Sequence, residues 1–157
     1  MKSLKIWSLI VMFAMAMSSC ESIGGPGDGG NDGKLSGFGA IEQEWKLVSV
    51  NGVENDFSVY INFSGGSFTM YQQVYTVDFL LYEGAYSVSG NTLSGTYTDG
   101  TAWKSEYTGG ISADGNSMTL KSKEDKPVTY VYEVCTIPLD VIEEATATRS
   151  MEVVPFL

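Results

Sequence analysis

The chain of 157 residues contains no histidine, which removes the commonest general base and the commonest metal ligand together. Acid–base chemistry would have to come from carboxylates. Glu83, Asp99 and Glu106 fall in the central part of the chain, and paired acids can cleave glycosidic bonds. Glu83 and Glu106 nevertheless alternate onto the side expected to face water, and Asp99 occupies a turn that favours Asp. All three read as solvated acids, and no catalytic residue is assigned. Asp114-Gly115-Asn116 is followed by too few oxygen ligands at the spacing calcium needs and reads as a turn. Cys135 has no neighbouring base or cation to lower its pKa and reads as a small packed residue. The chain is therefore expected to be no enzyme and to carry no metal or cofactor.

The chemically distinctive set is aromatic. Tyr82, Tyr86, Tyr97, Trp103, Tyr107, Tyr130 and Tyr132 recur at spacings that project them onto one face. In a filled interior they are core, with hydroxyls reaching the rim. In a hollow one they line a pocket for a small apolar or ring-shaped ligand, sugars included. Residues 74–82 break the alternation seen elsewhere: seven of these nine residues are apolar or aromatic. Either a strand begins early here with both faces covered, or the stretch forms an apolar flap over one mouth of the domain, with Tyr75, Phe79 and Leu80 as a gate.

The elements that must position these residues are strands. Period-two alternation recurs between turn signals. Trp45, Leu47 and Ser49 alternate with Lys46, Val48 and Val50; Val59, Ile61 and Phe63 with Tyr60 and Asn62; Phe68 and Met70 with Thr69 and Tyr71. Tyr82-Gly84-Tyr86-Val88, Leu93-Gly95-Tyr97, Trp103-Ser105-Tyr107, Met118-Leu120 and Val128-Tyr130-Tyr132-Val134 complete eight strands. A two-residue turn at Gly90-Asn91 sets Val88 opposite Leu93, Tyr86 opposite Gly95 and Gly84 opposite Tyr97, with each tyrosine expected to cover its cross-strand glycine. A three-residue loop with Gly100 at positive φ would keep Trp103 on the face of Tyr97. The pattern predicts an all-β fold, an eight-stranded antiparallel up-and-down barrel, with a two-sheet sandwich as the alternative. Pro138 could open a short C-terminal helix with Val141, Ile142 and Ala145 as its apolar stripe.

Residues 1–34 carry an address rather than a core. Lys2 and Lys5 precede a run, 6–17, that is apolar apart from Ser8, and Met17-Ser18-Ser19-Cys20 closes it. This has the form of a secretory signal peptide. Twelve helical residues span roughly 18 Å, short of the roughly 30 Å of a bilayer core. Ser18-Ser19-Cys20 resembles the lipobox of bacterial lipoproteins, with Met17 where that motif usually has Leu. The resemblance implies removal of residues 1–19 and acylation of Cys20. Ordinary cleavage near Ser19, leaving Cys20 free, is the alternative. The glycine-rich residues 20–34 then form a flexible tether, and about 13 such residues span roughly 20 Å. Residues 35–157 amount to one domain. Loss of Lys2 and Lys5 leaves seven basic residues against 19 acidic ones, a net charge near −12, which repels nucleic acid. With Cys20 acylated, only Cys135 remains and no intrachain disulfide can form.

Trp45-Lys46-Leu47-Val48, Tyr60-Ile61-Asn62-Phe63, the run from Phe68 through Met70 to Gln73, and the hairpin from Gly84 to Gly95 together resemble the lipocalin-like domains of bacterial envelope lipoproteins. The likeness covers roughly residues 41–137. It implies a small barrel with one open end, held to an envelope membrane through Cys20 on the periplasmic or cell-surface side, and binding a small apolar ligand. A filled barrel binding glycan or protein through its outer loops is the second expectation. Lipocalins carry Gly-x-Trp on the first strand; here Gln43-Glu44-Trp45 keeps the tryptophan and lacks the glycine. They also lay an arginine across that tryptophan, and Arg149 is the single arginine available.

Overall fold

The computed structural model describes residues 35–74, 76–147 and 154–157. Cys20, the leader and tether, Tyr75 and Arg149 lie outside the described residues. The elements in chain order are β1 (Glu44–Val50), β2 (Val53–Glu54), β3 (Ser58–Ser64), β4 (Ser67–Gln73), β5 (Leu80–Ser89), β6 (Thr92–Tyr97), β7 (Tyr107–Ile111), β8 (Ser117–Ser122), β9 (Thr129–Val134), α1 (Leu139–Glu144) and β10 (Thr146–Ala147).

The fold is all-β apart from α1. From β3 to β9 each strand pairs antiparallel with the next, and β1 pairs with both β3 and β9, so the ladder closes into a ring. Closure satisfies the main-chain groups that two separate sheets would leave at their edges. The two-residue strands β2 and β10 add to the expected set: β2 folds back on β1, and β10 lies parallel to the start of β5.

Alternation puts one apolar row of each strand inside the ring. Trp45, Leu47, Val59, Ile61, Phe63, Phe68, Met70, Leu93, Met118 and Leu120 are all buried there. Burying one such side chain is worth roughly 1.5–3 kcal/mol. The face expected for β1 needs a correction. Leu47 pairs with Tyr132 and Ser49 with Val131, leaving Val48 as an extra residue. This bulge moves the inward row by one residue, so Val50 rather than Ser49 packs against the core.

The Gly90-Asn91 hairpin has the expected register, with Val88 opposite Leu93, Tyr86 opposite Gly95 and Gly84 opposite Tyr97. Gly90 supplies a φ of 61° for the turn. The covering of the two glycines differs from expectation. The ring of Phe68 lies over Gly84, and that of Trp103 over Gly95 so closely that a Cβ there would fall 2.2 Å from the indole. Trp103 is held there by its own main chain, whose N–H donates to Gly95 O at 2.9 Å. After an isolated bridge between Thr96 and Ala102 the chain rejoins β6 only at Tyr107, so the strand expected to begin at Trp103 begins four residues later.

Outside the ring, α1 follows Pro138, which takes the cap position. Val141 and Ile137 cover Tyr60 and Tyr71 on the outer face of β3 and β4, with Cys135, Ala145, Phe79 and Leu81 around them. Ile142, expected in the same stripe, is exposed instead, because a helix this short buries only the side facing the sheet.

Candidate functional site

The interior of the ring has two ends of different construction. At one end Phe38 and Ile41 close over Trp45, whose indole Nε1 donates to the Ile41 carbonyl at 2.9 Å. Main-chain bonds hold this cap. Ser36 N donates to Ile111 O and Ile111 N to Gly37 O, both at 2.9 Å. Gly110 permits the approach, since a Cβ there would meet the main chain of Gly37 at 2.8 Å.

At the other end, where β4 and β6 finish and β3 and β9 begin, the interior is walled by rings. Edge-to-face contacts run from Tyr82 to Tyr97 (5.9 Å), Tyr97 to Phe68 (5.6 Å), Phe68 to Trp103 (5.0 Å), Trp103 to Tyr107 (6.1 Å) and Tyr107 to Tyr130 (6.0 Å). Such pairs add roughly 0.5–1.5 kcal/mol each beyond area burial and fix ring orientation.

Segment 154–157 fills this aromatic end. Phe156 stands between Tyr130, at 5.3 Å, and Phe57, at 5.7 Å. Leu157 is buried in the core cluster, and the Tyr97 hydroxyl donates to its main-chain oxygen at 2.8 Å. Gln72 continues the inward row of Phe68 and Met70 and is 1% exposed. Its Nε2 donates to the Val154 carbonyl at 3.2 Å, and its Oε1 accepts from Phe156 N at 2.7 Å. One side-chain amide thus straddles Pro155, the position that has no N–H to satisfy. An amide left without partners at this depth would cost roughly 1–3 kcal/mol per unmet group.

The hydroxyls beneath the segment are neutral at ordinary pH. Burial, and then the neighbouring Tyr107, Tyr130 and Tyr97, hold the Tyr132 hydroxyl far above the usual tyrosine range. Burial is also the leading cause of the upward shifts at Tyr97, Tyr107 and Tyr130. Two buried donors here, Tyr132 OH and Trp103 Nε1, have no hydrogen-bond partner among the described residues.

Of the residues singled out in the sequence, Tyr82, Tyr97, Trp103, Tyr107, Tyr130 and Tyr132 share the interior with segment 154–157. Tyr86 belongs to the opposite end. Its main-chain N–H binds Gly66 O in the β3–β4 turn, and its ring meets Phe63 edge-on at 4.9 Å. The gate reading for residues 74–82 is corrected at Phe79, which packs against Tyr60 at 6.1 Å on the outer face, beside α1. Leu80 and Leu81 open β5, and Leu80 lies half-buried opposite Gln72. β5 thus starts two residues ahead of Tyr82, while residues 76–79 lie outside any strand and Val77 is exposed.

Glu83, Asp99 and Glu106 are exposed. Asp99 accepts from Thr101 N at 2.8 Å, which lowers its pKa, and Glu106 pairs with Lys123 at 2.9 Å. Burial pushes the Cys135 thiol up to about 11, with the Glu44 charge adding to the rise. Among the described residues no cluster of metal-ligating side chains occurs, and no helix is long and apolar enough to cross a membrane. A mainly polar groove of about 180 Å³ beside β1 and β2 is lined by Lys46, Glu54, Asp56, Phe57 and Ser58.

Sequence reasoning missed Gln72 and segment 154–157. The available signal was the polar residue at the third inward position of β4, after Phe68 and Met70. Comparison with protein-family models, curated proteins and solved structures finds no match to this chain.

Proposed function

We propose that this chain is a lipocalin-like lipoprotein of the bacterial cell envelope, anchored through Cys20. Its ring is read as an eight-stranded up-and-down barrel that binds a small apolar ligand at its aromatic end. The N-terminal signal and lipobox likeness support the anchor, and the pairing of consecutive strands supports the barrel. Trp45 under its cap agrees with the closed end of such barrels, although the lipocalin glycine is absent.

One observation carries the binding reading. The space between Phe57, Tyr97 and Tyr130 already accommodates an apolar group, the side chains of Phe156 and Leu157. Native mass spectrometry of the protein purified from its own host tests it. A discrete adduct that leaves on denaturation is expected; the bare protein mass in repeated preparations contradicts the reading.

The second reading is a permanently filled barrel that acts through its outer loops on glycan or protein. It draws on the burial of Leu157 within the same core cluster as Trp45 and Tyr132. The bare protein mass is its expected result.

A further inference from the structure

We infer that the aromatic end is a peptide-binding site: its ligand is an extended segment of a partner protein in which any residue is followed by proline, an aromatic and an aliphatic residue, and segment 154–157 is the resident occupant that such a ligand displaces. This rests on the reading of the interior as a binding site and narrows the ligand from an apolar molecule to a peptide.

Gln72 makes the distinction. A purely apolar ligand would leave its buried amide with neither acceptor nor donor. A peptide backbone supplies both, a carbonyl at one residue and an N–H two residues on, as Val154 and Phe156 do. Proline between them is the residue that asks for no further donor bond. The aromatic position is read by the slot between Phe57 and Tyr130, and Tyr97 takes the carbonyl of the next residue. This combination of main-chain bonds for affinity and side-chain pockets for selectivity is the general logic of extended-peptide recognition.

The resident segment also satisfies the site incompletely. Tyr132 OH and Trp103 Nε1 are buried among the same rings and have no hydrogen-bond partner among the described residues. A ligand carrying an additional acceptor at its inner end would meet donors that segment 154–157 leaves unmet, which favours exchange.

The probe is the synthetic peptide acetyl-Val-Val-Pro-Phe-Leu, titrated calorimetrically into the full chain and into its Phe156→Ala variant. In the parent the tethered segment competes at an effective concentration in the millimolar range. The variant is therefore expected to bind the peptide at least about tenfold more tightly than the parent, since its own segment no longer fills the slot. The same peptide with alanine for phenylalanine should bind at least about tenfold more weakly to the variant, by loss of a buried ring. Equal affinity for the two peptides, or no gain over the parent, overturns the inference. An apolar naphthalene fluorophore, run in parallel on the variant, separates the two levels. Fluorophore binding without peptide binding rejects the peptide class and leaves the interior as an apolar site, whereas binding of neither rejects both. Should Phe156→Ala be unfolded alone, the peptide is expected to restore the folded chain, and failure to restore it counts against the inference.

Discussion

The two ends of the ring interior are closed in physically different ways. Over Trp45 the covering segment is part of the main-chain bonding of the fold: Ser36 and Gly37 bond the carbonyl and N–H of Ile111 at the end of β7, and Ile41 accepts the Trp45 indole proton. Over the aromatic end, segment 154–157 is held by side chains, Gln72 and Tyr97, and by ring contacts with Phe57 and Tyr130. A cover bonded to the main chain cannot leave without stripping both main-chain groups of Ile111 of their partners. One held by side chains can leave while the strands stay paired, at the cost of stranding polar groups that another backbone could satisfy. The difference teaches that a filled interior and a binding site are compatible, provided the filler is attached from outside the ladder.

The largest effect expected from this contrast is at the fixed end. Trp45→Ala removes a fully buried indole and its bond to Ile41, and should destabilise the domain by about 3–5 kcal/mol. Urea unfolding measures this, and a loss below about 1 kcal/mol would mean that this end is no more a core than the other.

A pH effect is expected next, and it belongs chiefly to the aromatic end. The hydroxyls of Tyr97, Tyr107, Tyr130 and Tyr132 keep their protons in the folded chain above the ordinary tyrosine value of 10.0, where the unfolded chain has lost them. Their contribution to stability is therefore complete below about pH 10 and is lost as the pH rises through the folded-state values. Unfolding followed by tyrosinate absorbance should show a falling midpoint above pH 10, with the Cys135 thiol, shifted up to about 11, adding in the same direction. A midpoint unchanged between pH 9 and pH 11 would show these hydroxyls to be open to water.

How much of this was legible in the sequence follows from the range of the interactions. The Gly90-Asn91 hairpin could be read to the residue, because a two-residue turn and the two-residue period of strands fix its register locally. The burial of Trp45, Ile61, Phe63 and Met70 followed from the same period. The bulge at Val48 was not legible, since it exists only relative to β9. Nor were the rings over Gly84 and Gly95, because they come from Phe68 on β4 and from Trp103 beyond the turn after Tyr97, not from the hairpin itself. Phe79 was placed at a mouth because its apolar run had no evident cover, which α1 and Tyr60 supply from the outer side. The Gln72 clamp joins positions 82 and 84 residues apart. No local pattern encodes such a pair, and only the polar interruption of an inward row hinted that something must meet it.

The contrast between a fixed and an exchangeable cover is tested most directly by amide hydrogen exchange at two positions, Ile111 and Phe156. Both N–H groups are bonded, the first to Gly37 O at 2.9 Å and the second to Gln72 Oε1 at 2.7 Å, so bond length alone would not separate them. If segment 154–157 leaves while the ring stays closed, the Phe156 amide should exchange about 100-fold or more faster than that of Ile111, whose opening requires the main-chain-bonded cap over Trp45 to lift. Equal protection at the two amides would contradict the account and make both covers parts of one cooperative core.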